Sequence, residues 1–360
     1  MTMTDTEMTR QRLYNQHIAG SKLSKPSDIV KWLVAVQAQD YAGAKWALGL
    51  RLQGVSDTDI DQAFADGSIL RTHVLRPTWH FITPADIRWL LTLTAPHVHA
   101  INAYMYRKAE LDSAIFKRTN AAFVKALQGG KQLTREELRN VLEEVGISTQ
   151  LEFRMVYLLM QAELDGLICS GARRGKQFTY ALLDERVPQT RTFERNEALA
   201  ELTRRYFLSR GPATAHDFAK WSGLTIADAR QGLESVKSLL QQESVGGTIY
   251  WFSPSELTYS ENSPTAYMLS IYDEYISGYK DRSALGEAEV GGLLSALGNA
   301  LSYIIVMDGQ IVGTWKRTLK KNEVIIETNL YKQLTEAEKQ AIIVAAQQYG
   351  QYLRLPVIIE

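Results

Sequence analysis

Residues 151–183, LEFRMVYLLMQAELDGLICSGARRGKQFTYALL, carry a clear signal for the fold. Its first half carries apolar residues at helical spacing, namely Phe153, Val156, Tyr157, Met160 and Leu164. Two β-rich runs follow, LICS and FTYALL, and the connecting GARRGKQ holds glycines that favour a turn. Just upstream, Thr134 and Glu137 have the spacing of a capping box, which starts another helix. Helices followed by a hairpin are the order of a winged helix, which we predict here.

The same order occurs on both sides of this segment. Upstream, RQRLYNQHIA, DIVKWLVAV and AGAKWALGLRL have helical spacing, and the β-rich runs SILRTHVL and TWHFI flank Arg76-Pro77. Downstream, ALAELTRRYFLSRG, TAHDFAKWSG and TIADARQGLESVKSLL precede a hairpin whose turn is Gly246-Gly247. The polar residues 184–192 are the best linker candidate. The chain therefore predicts three winged helices in tandem.

From about Pro264 the pattern changes to short β-branched runs separated by turn signals. A late helix, TEAEKQAIIVAAQQYGQYL, and a last strand in LRLPVIIE follow. This texture predicts a small C-terminal β-barrel domain. The expected fold class is α+β, with domains at 1–106, 107–187, 188–262 and 263–360.

The charges of the 360-residue chain balance, with 40 Lys and Arg against 40 Asp and Glu. No bulk positive field draws the protein to nucleic acid, so any DNA-binding surface must be a local patch. Cys169 is the only cysteine, which excludes intramolecular disulfides and multi-cysteine zinc sites. The N-terminus has no secretory apolar core, and no run approaches about 18 apolar residues. We therefore expect a cytoplasmic protein that does not contact membranes.

Most sequence motifs of enzymes are missing. There is no P-loop, no HExxH, no dinucleotide fingerprint after a strand and no GxSxG. The six histidines show no ligand spacing supported by acidic residues, and His97 and His99 point in nearly opposite directions on a helix. The sequence therefore predicts a reaction that uses neither a metal nor an organic cofactor.

The most informative short motif is Gln37-Ala38-Gln39-Asp40. Asp40 directly precedes AGAKWALGL and is typical of a helix N-cap, which places the two glutamines in an extended connection. Residues two apart in an extended segment share a face, so both carboxamides can converge on one point. Two other interpretations stay open: the amides satisfy backbone groups near a helix end, and Asp40 is itself a general base.

Basic residues gather at the predicted hairpins and strand ends. They are Arg71 and Arg76; Arg173, Arg174 and Lys176; Lys280 and Arg282; and Lys316, Arg317, Lys320 and Lys321. The helix before the middle hairpin carries Glu152, Glu163 and Asp165, a poor match for phosphate or for the edge of guanine. This distribution favours clamping of the DNA backbone by several units, although each basic residue alone is also compatible with a solvated charge.

Three stretches carry a resemblance to a known family: QAQDYAGAKWALGLRL, then LRTHVLRPTWHFITPADIRWLL, and later YDEYISGYKDR with IVGTWKR. Their order over essentially the whole chain resembles the winged-helix DNA glycosylases of the AlkZ/YcaQ type. The resemblance implies a C-shaped body around a DNA-binding channel. It also implies excision of bases alkylated at purine nitrogens, in some members within interstrand crosslinks. The catalytic motif is Gln-x-Gln in the AlkZ branch and Gln-x-Asp in the YcaQ branch, and Gln37 and Gln39 match the first.

The resemblance also implies roles for individual residues. Gln37 and Gln39 hold a water beside C1′ of an alkylated nucleotide, and Asp40 orients them. The first hairpin reaches the DNA near the lesion, which adds Thr72, Thr78, Trp79 and His80 to the basic residues as DNA contacts. Trp79 is equally compatible with a core aromatic, and His80 with a structural role. The acidic residues Asp273, Glu274 and Asp281 with Arg282 are expected to form an internal ion-pair network, which leaves Lys280 and Lys316 for phosphate.

The predicted function is a monofunctional DNA glycosylase that acts on N7- or N3-alkylated purines, bulky adducts and crosslinks included. Its partner is double-stranded DNA, and a monomer suffices because a clamp needs no two-fold symmetry. The alternatives are a winged-helix transcriptional regulator, which requires a preferred operator and matched half-sites, and an architectural or scaffold protein.

Overall fold

The computed structural model describes residues 3–190, 192–254, 264–286 and 303–360. The helices are α1 (Asp5–Asn15), α2 (Pro26–Leu33), α3 (Tyr41–Gly49), α4 (Asp57–Ala65), α5 (Pro84–Lys108), α6 (Ser113–Leu127), α7 (Arg135–Glu144), α8 (Arg154–Leu164), α9 (Leu183–Arg186), α10 (Arg195–Arg210), α11 (Ala215–Ser222), α12 (Ile226–Val236), α13 (Glu274–Ser277) and α14 (Glu336–Leu353). The strands are β1 (Ala35–Gln37), β2 (Leu70–Val74), β3 (Arg76–Ile82), β4 (Leu133–Thr134), β5 (Ile168–Ser170), β6 (Thr179–Leu182), β7 (Gln241–Val245), β8 (Thr248–Phe252), β9 (Ala266–Leu269), β10 (Ile304–Met307), β11 (Gln310–Leu319), β12 (Val324–Leu330) and β13 (Val357–Ile359). Helices followed by a hairpin occur three times, as the sequence predicts.

Threonine capping boxes fix where several helices begin. In each, the Thr hydroxyl accepts from the third backbone N–H of the helix, and the acidic side chain there accepts from the Thr backbone N–H. The capping residues are Thr4, Thr134, Thr214, Thr225 and Thr335. The box at Thr134 confirms the helix start predicted from TREE.

The first segment forms an antiparallel sheet in the order β1-β3-β2. Its register places Gln37 opposite His80, and His80 opposite Thr72. The hairpin turns at Leu75, which has φ +64°, so Arg76 and Pro77 belong to β3 and do not form the turn. The tip is covered, since the Arg76 guanidinium donates to the Trp221 carbonyl at the end of α11. That the rest of this half-buried hairpin reaches DNA stays a prediction.

The middle segment forms the sheet β4-β6-β5 behind α6, α7 and α8. Helix α8 begins at Arg154, and Phe153 lies before it in a left-handed conformation with its side chain exposed. The predicted apolar stripe is thus too long by one residue. Glu163 is buried and hydrogen-bonded to His73, so this acidic residue of α8 does not face solvent. The helix packs against α5, α6 and β2.

The C-terminal segment is a five-stranded sheet, β13-β12-β11-β10-β9, covered by α14. Its last strand runs parallel to β12, and the other pairs are antiparallel. No pairing among the described residues joins β9 to β13, so the sheet is open where the sequence predicts a barrel. The late helix and last strand are confirmed. The predicted boundary at 262/263 lies outside the described residues.

The sheet of the first segment separates two hydrophobic cores. One core joins Val36 and Phe81 to residues of the C-terminal sheet, such as Ile305 and Trp315. The second core joins the opposite side of the same sheet to α10, α11 and α12. The middle segment has a core of its own. The first and last predicted domains therefore share one core, which places the Gln37–Gln39 segment where three parts of the chain meet.

Candidate active site and nucleic-acid interface

The Gln37–Gln39 segment is extended and accessible. Gln37 ends β1 and is half-buried, Ala38 is buried, and Gln39 is exposed in the bend before α3. The Ala38 backbone N–H donates to the Trp79 carbonyl at 2.7 Å and continues the pairing with β3. Among the described residues neither carboxamide has a hydrogen-bond partner. The two amides thus remain available for water or for a ligand.

A buried carboxylate fixes the strand that carries Gln37. Glu274, at the start of α13, accepts from the Gln37 backbone N–H at 2.9 Å. Its other oxygen accepts from the Arg210 guanidinium at 2.6 Å and from the Trp221 indole N–H at 2.9 Å. The side chains of Arg210 and Glu274 are fully buried. Because the carboxylate makes every bond of this network charge-assisted, the network anchors the strand that carries Gln37.

A second buried pair lies beside the first. Asp273 accepts from the two terminal nitrogens of Arg51 at 2.7 and 2.9 Å. The prediction of an internal ion-pair network is confirmed for Asp273 and Glu274. It is wrong for Asp281 with Arg282, since Asp281 accepts from the Ser283 backbone and Arg282 donates to the Ile276 carbonyl.

Asp40 is the N-cap of α3. Its carboxylate accepts from the Gly43 backbone N–H at 2.5 Å, and the Tyr303 hydroxyl lies 3.5 Å away. A Cβ on Gly43 would lie 2.7 Å from this carboxylate oxygen, so glycine leaves room for the cap. The Arg317 guanidinium donates to the Tyr303 hydroxyl at 3.1 Å. A chain of polar contacts therefore runs from the C-terminal sheet to the residue after Gln39.

The capping role of Asp40 leads to a first prediction. Asp40→Asn should keep stability within a few tenths of a kcal/mol, whereas Asp40→Ala should lose about 1 kcal/mol, because Asn caps as well as Asp does. Base release by the Asn variant should stay within about threefold of wild type, since an orienting residue needs no proton affinity. Urea denaturation and a base-release assay measure both. Loss of release in a stably folded Asn variant would instead make Asp40 the general base.

Two of the predicted DNA contacts lie inside the protein. Thr72 and His80 are fully buried, so neither side chain reaches a nucleic acid. Burial and the adjacent charge of Arg76 hold the pKa of His80 well below its usual value, which keeps the ring neutral. The neutral ring donates from Nδ1 to the Thr78 carbonyl and accepts at Nε2 from Arg76 at 3.2 Å. His80 is therefore a structural residue that orients Arg76.

Arg71 and Trp79 form a stack beside the glutamine segment. The Arg71 guanidinium lies 4.3 Å from the ring centres of both Trp79 and Phe178, and its Nε donates to the Ala38 carbonyl at 3.0 Å. Burial lowers the pKa of Arg71 to about 10, so the group stays charged at neutral pH. Thr78 is half-buried, and its hydroxyl has no partner among the described residues.

The three basic residues of the middle hairpin differ in availability. Arg173 covers the Tyr41 ring at 4.7 Å and donates to the Lys176 carbonyl. Arg174 pairs with Glu137 at 2.7 Å. Lys176 is exposed and has no ion pair in the described parts of the chain. The hairpin tip thus rests against the residue after Asp40, and Lys176 is its free cation.

On the other side of the β1-β3-β2 sheet lies a second cluster of cations, which consists of Arg76, Lys220, Lys280 and Arg282. Arg76 contacts α11 at Trp221, while the Lys280 backbone N–H donates to Asp217 at the start of the same helix. Partial burial, then the charges of Arg282 and Arg76, lower the pKa of Lys220. Lys220 therefore belongs to this cluster, although its sequence context, AKWSG, gives no signal for it. In the C-terminal sheet Lys316 is exposed, whereas Arg317 is held by Tyr303 and Tyr349.

Lys320 pairs with Glu323, and Lys321 is exposed. In the ranges that the structure describes, no three His, Cys, Asp or Glu side chains are grouped as metal ligands. None of the helices described is long and apolar enough to cross a membrane.

Comparisons with known proteins agree on one family. The family model described as "DNA glycosylase AlkZ-like" matches residues 30–352. A curated relative from Streptomyces sahachiroi, named "Interstrand DNA cross-link repair glycosylase", is 24% identical over 322 residues, which are 85% of each chain. The solved structure of Streptomyces sahachiroi DNA glycosylase AlkZ superimposes with a TM-score of 0.82 at 22% identity and covers both chains completely. The chain belongs to the AlkZ-like DNA glycosylase family.

Proposed function

We propose that this protein is a monofunctional DNA glycosylase that hydrolyses the N-glycosidic bond of N7- or N3-alkylated purines. The observation that supports this proposal most strongly is the state of the Gln37–Gln39 segment. Its two carboxamides are accessible and have no partner among the described residues, and Glu274 holds the backbone of the segment in place. Family membership favours an enzyme over a transcriptional regulator or a scaffold. The name of the Streptomyces relative supports extending the substrates to bulky adducts and interstrand crosslinks.

Amides suit this chemistry because the substrate is already activated. A carboxamide has no useful pKa and is not a general base, but it can hold and polarise a water. Alkylation at N7 leaves the purine positively charged, so the base departs through an oxocarbenium-like state at the sugar. Gln37 and Gln39 then need only to place the water beside C1′ and to direct their oxygen dipoles toward the developing positive charge. We infer that Asp40 and Glu274 act by positioning the two amides.

The proposal extends to the type of fold and to the surface that binds DNA. We propose that the three helix-and-hairpin segments are tandem winged helices, arranged with the C-terminal sheet as a C-shaped body around duplex DNA. The exposed cations Lys176, Lys220, Lys280 and Lys316 come from different parts of the chain, and we propose that all of them contact DNA phosphates. Contacts from several units to phosphates give affinity without sequence readout. A single chain supplies all of them, which is why we expect a monomer.

The two cations at the tip of the middle hairpin, Arg174 and Lys176, differ in whether they are free to contact phosphate, and this difference gives a second prediction. Lys176→Ala should weaken binding to duplex DNA and reduce the slope of log affinity against log salt by about one, because one phosphate contact is lost. Arg174→Ala should change the slope little, since Arg174 already pairs with Glu137. Fluorescence anisotropy at several salt concentrations measures both. Equal slopes for wild type and Lys176→Ala would remove this hairpin from the DNA surface.

The function itself is tested on methylated duplex DNA. The wild-type protein should release 7-methylguanine and leave abasic sites that break under alkali. Borohydride should trap no covalent complex, because no lysine adjoins the glutamines in the sequence. Unmethylated DNA of the same sequence is the control. Intact DNA after alkali, together with protection of one preferred operator, would support the regulator instead.

A further inference from the structure

A pocket of about 400 Å³ lies beside the glutamine segment, on the side of Arg71 and Trp79. Its floor is the stack of Trp79, Arg71 and Phe178, and Arg71 also holds the Ala38 carbonyl between the two glutamines. Helix α8 contributes Val156 and Leu159. The pocket therefore lies between the middle segment and the β2–β3 hairpin of the first segment.

Arg71 presents unused hydrogen-bond donors to this pocket. Arg71 is a buried residue with an exposed fraction of 7%. Only Nε has a partner in the described residues, namely the Ala38 carbonyl, and the two terminal nitrogens have none. A guanidinium offers these nitrogens as a fork that recognises acceptor atoms, as on the edge of guanine. An accessible, unpartnered donor pair at the end of a largely buried residue points to a ligand that carries an acceptor oxygen.

The lining is aromatic and positively charged. Trp79, Phe178 and Tyr180 supply ring surface, while Arg135 and Lys176 add charge at the rim. The acidic residue of the pocket, Glu136, is already paired with Arg139 at 2.8 Å. Such a site favours a flat, neutral ring with an acceptor and disfavours a cation. Its volume exceeds that of a purine and leaves space for a substituent.

We propose that this pocket receives the purine as it leaves the sugar, in its neutral form. The inference rests on the proposed function. When the glycosidic bond of an N7-alkylated guanine breaks, the electron pair remains on N9 and cancels the positive charge of the ring. C1′ gains the oxygen of the water, and the proton of that water passes to solvent. The cations around the pocket oppose the charged base and accept the neutral one, so they favour the departing state over the bound substrate.

Equilibrium dialysis with free 7-methylguanine tests the pocket without requiring catalysis. Wild type should bind one equivalent saturably. Val156→Trp, which fills the pocket, should weaken binding at least about tenfold, or about 1.4 kcal/mol. Val344→Trp, the same substitution at an exposed position of α14, should leave binding unchanged. Absence of saturable binding, or equal binding by these two variants, would overturn the proposal.

A charge test does not depend on how Val156→Trp folds. At mildly acidic pH, 7,9-dimethylguaninium stays cationic and should bind at least about tenfold more weakly than 7-methylguanine, or about 1.4 kcal/mol. Lys176 is an exposed residue of the rim, and Lys176→Glu should reduce the preference of the pocket for 7-methylguanine over 7,9-dimethylguaninium. Equal binding of both bases by wild type would contradict the proposal. Base release from methylated DNA is scored separately, so an active enzyme without base binding refutes only the pocket, and base binding without release refutes only the proposed activity.

Discussion

Simultaneous replacement of Gln37 and Gln39 by alanine is expected to lower the release of 7-methylguanine from methylated DNA by at least about 100-fold. Removal of one preorganised dipole typically costs about 100- to 1,000-fold in rate, and two amides that hold one water act as a unit. The loss should appear in the single-turnover rate constant, because the amides serve the chemical step. Neither side chain has a partner in the described residues, so folding should be preserved.

The matched control is the double substitution Gln347→Ala and Gln351→Ala, which removes two exposed glutamines from α14. This variant should release base at the wild-type rate. DNA affinity of the Gln37/Gln39 variant should remain within about threefold of wild type, since phosphate contacts dominate affinity. Wild-type release by the Gln37/Gln39 variant would remove both residues from the mechanism.

Loss of the Glu274 carboxylate should have the largest effect on stability. Glu274→Ala leaves the Arg210 guanidinium charged and without its carboxylate partner in a fully buried site. Breaking a buried pair from one side typically costs about 3–5 kcal/mol. The variant should therefore unfold at a clearly lower urea concentration, and its midpoint shift gives the change in the free energy of unfolding.

A surface pair provides the comparison for this loss. Glu201→Ala, which breaks a partly exposed pair with Arg204, should cost at most about 1 kcal/mol. Glu274→Gln keeps an oxygen that can accept from the Gln37 backbone N–H, but its NH2 group then faces the donors of Arg210 and Trp221, so the charge and those two bonds are lost. It should be more stable than the alanine variant and should release base more slowly than wild type. Equal stability of Glu274→Ala and wild type would show that the buried network does not hold this strand.

Local sequence signals predicted most of the elements, because helix spacing, caps and turns are encoded within a few residues. The capping box at Thr134, the hairpin at Gly246-Gly247 and the last strand in LRLPVIIE are examples. Tertiary packing was less predictable. The core that Phe81 shares with Trp315 depends on contacts between residues more than 200 positions apart.

The same distinction between local features and long-range packing applies to the candidate site. The extended Gln37 segment and the cap at Asp40 followed from local spacing, and the structure has both features. Burial of Thr72, His80 and Glu163 was missed because a single sequence does not show which polar residues find partners inside. Lys220 was missed because its neighbours in the cation cluster come from β3 and from the segment after α13. Each of these features depends on contacts between distant parts of the chain, which the spacing of residues in the sequence does not indicate.

The most direct measurement is a crystal structure of the protein with duplex DNA that carries a cationic sugar analogue of the oxocarbenium-like state. The proposed mechanism predicts an ordered water beside the C1′ position, with the carboxamides of both Gln37 and Gln39 within about 2.7–3.2 Å of it. A complex in which the water is absent, or in which either amide lies beyond hydrogen-bond reach of it, would contradict the mechanism.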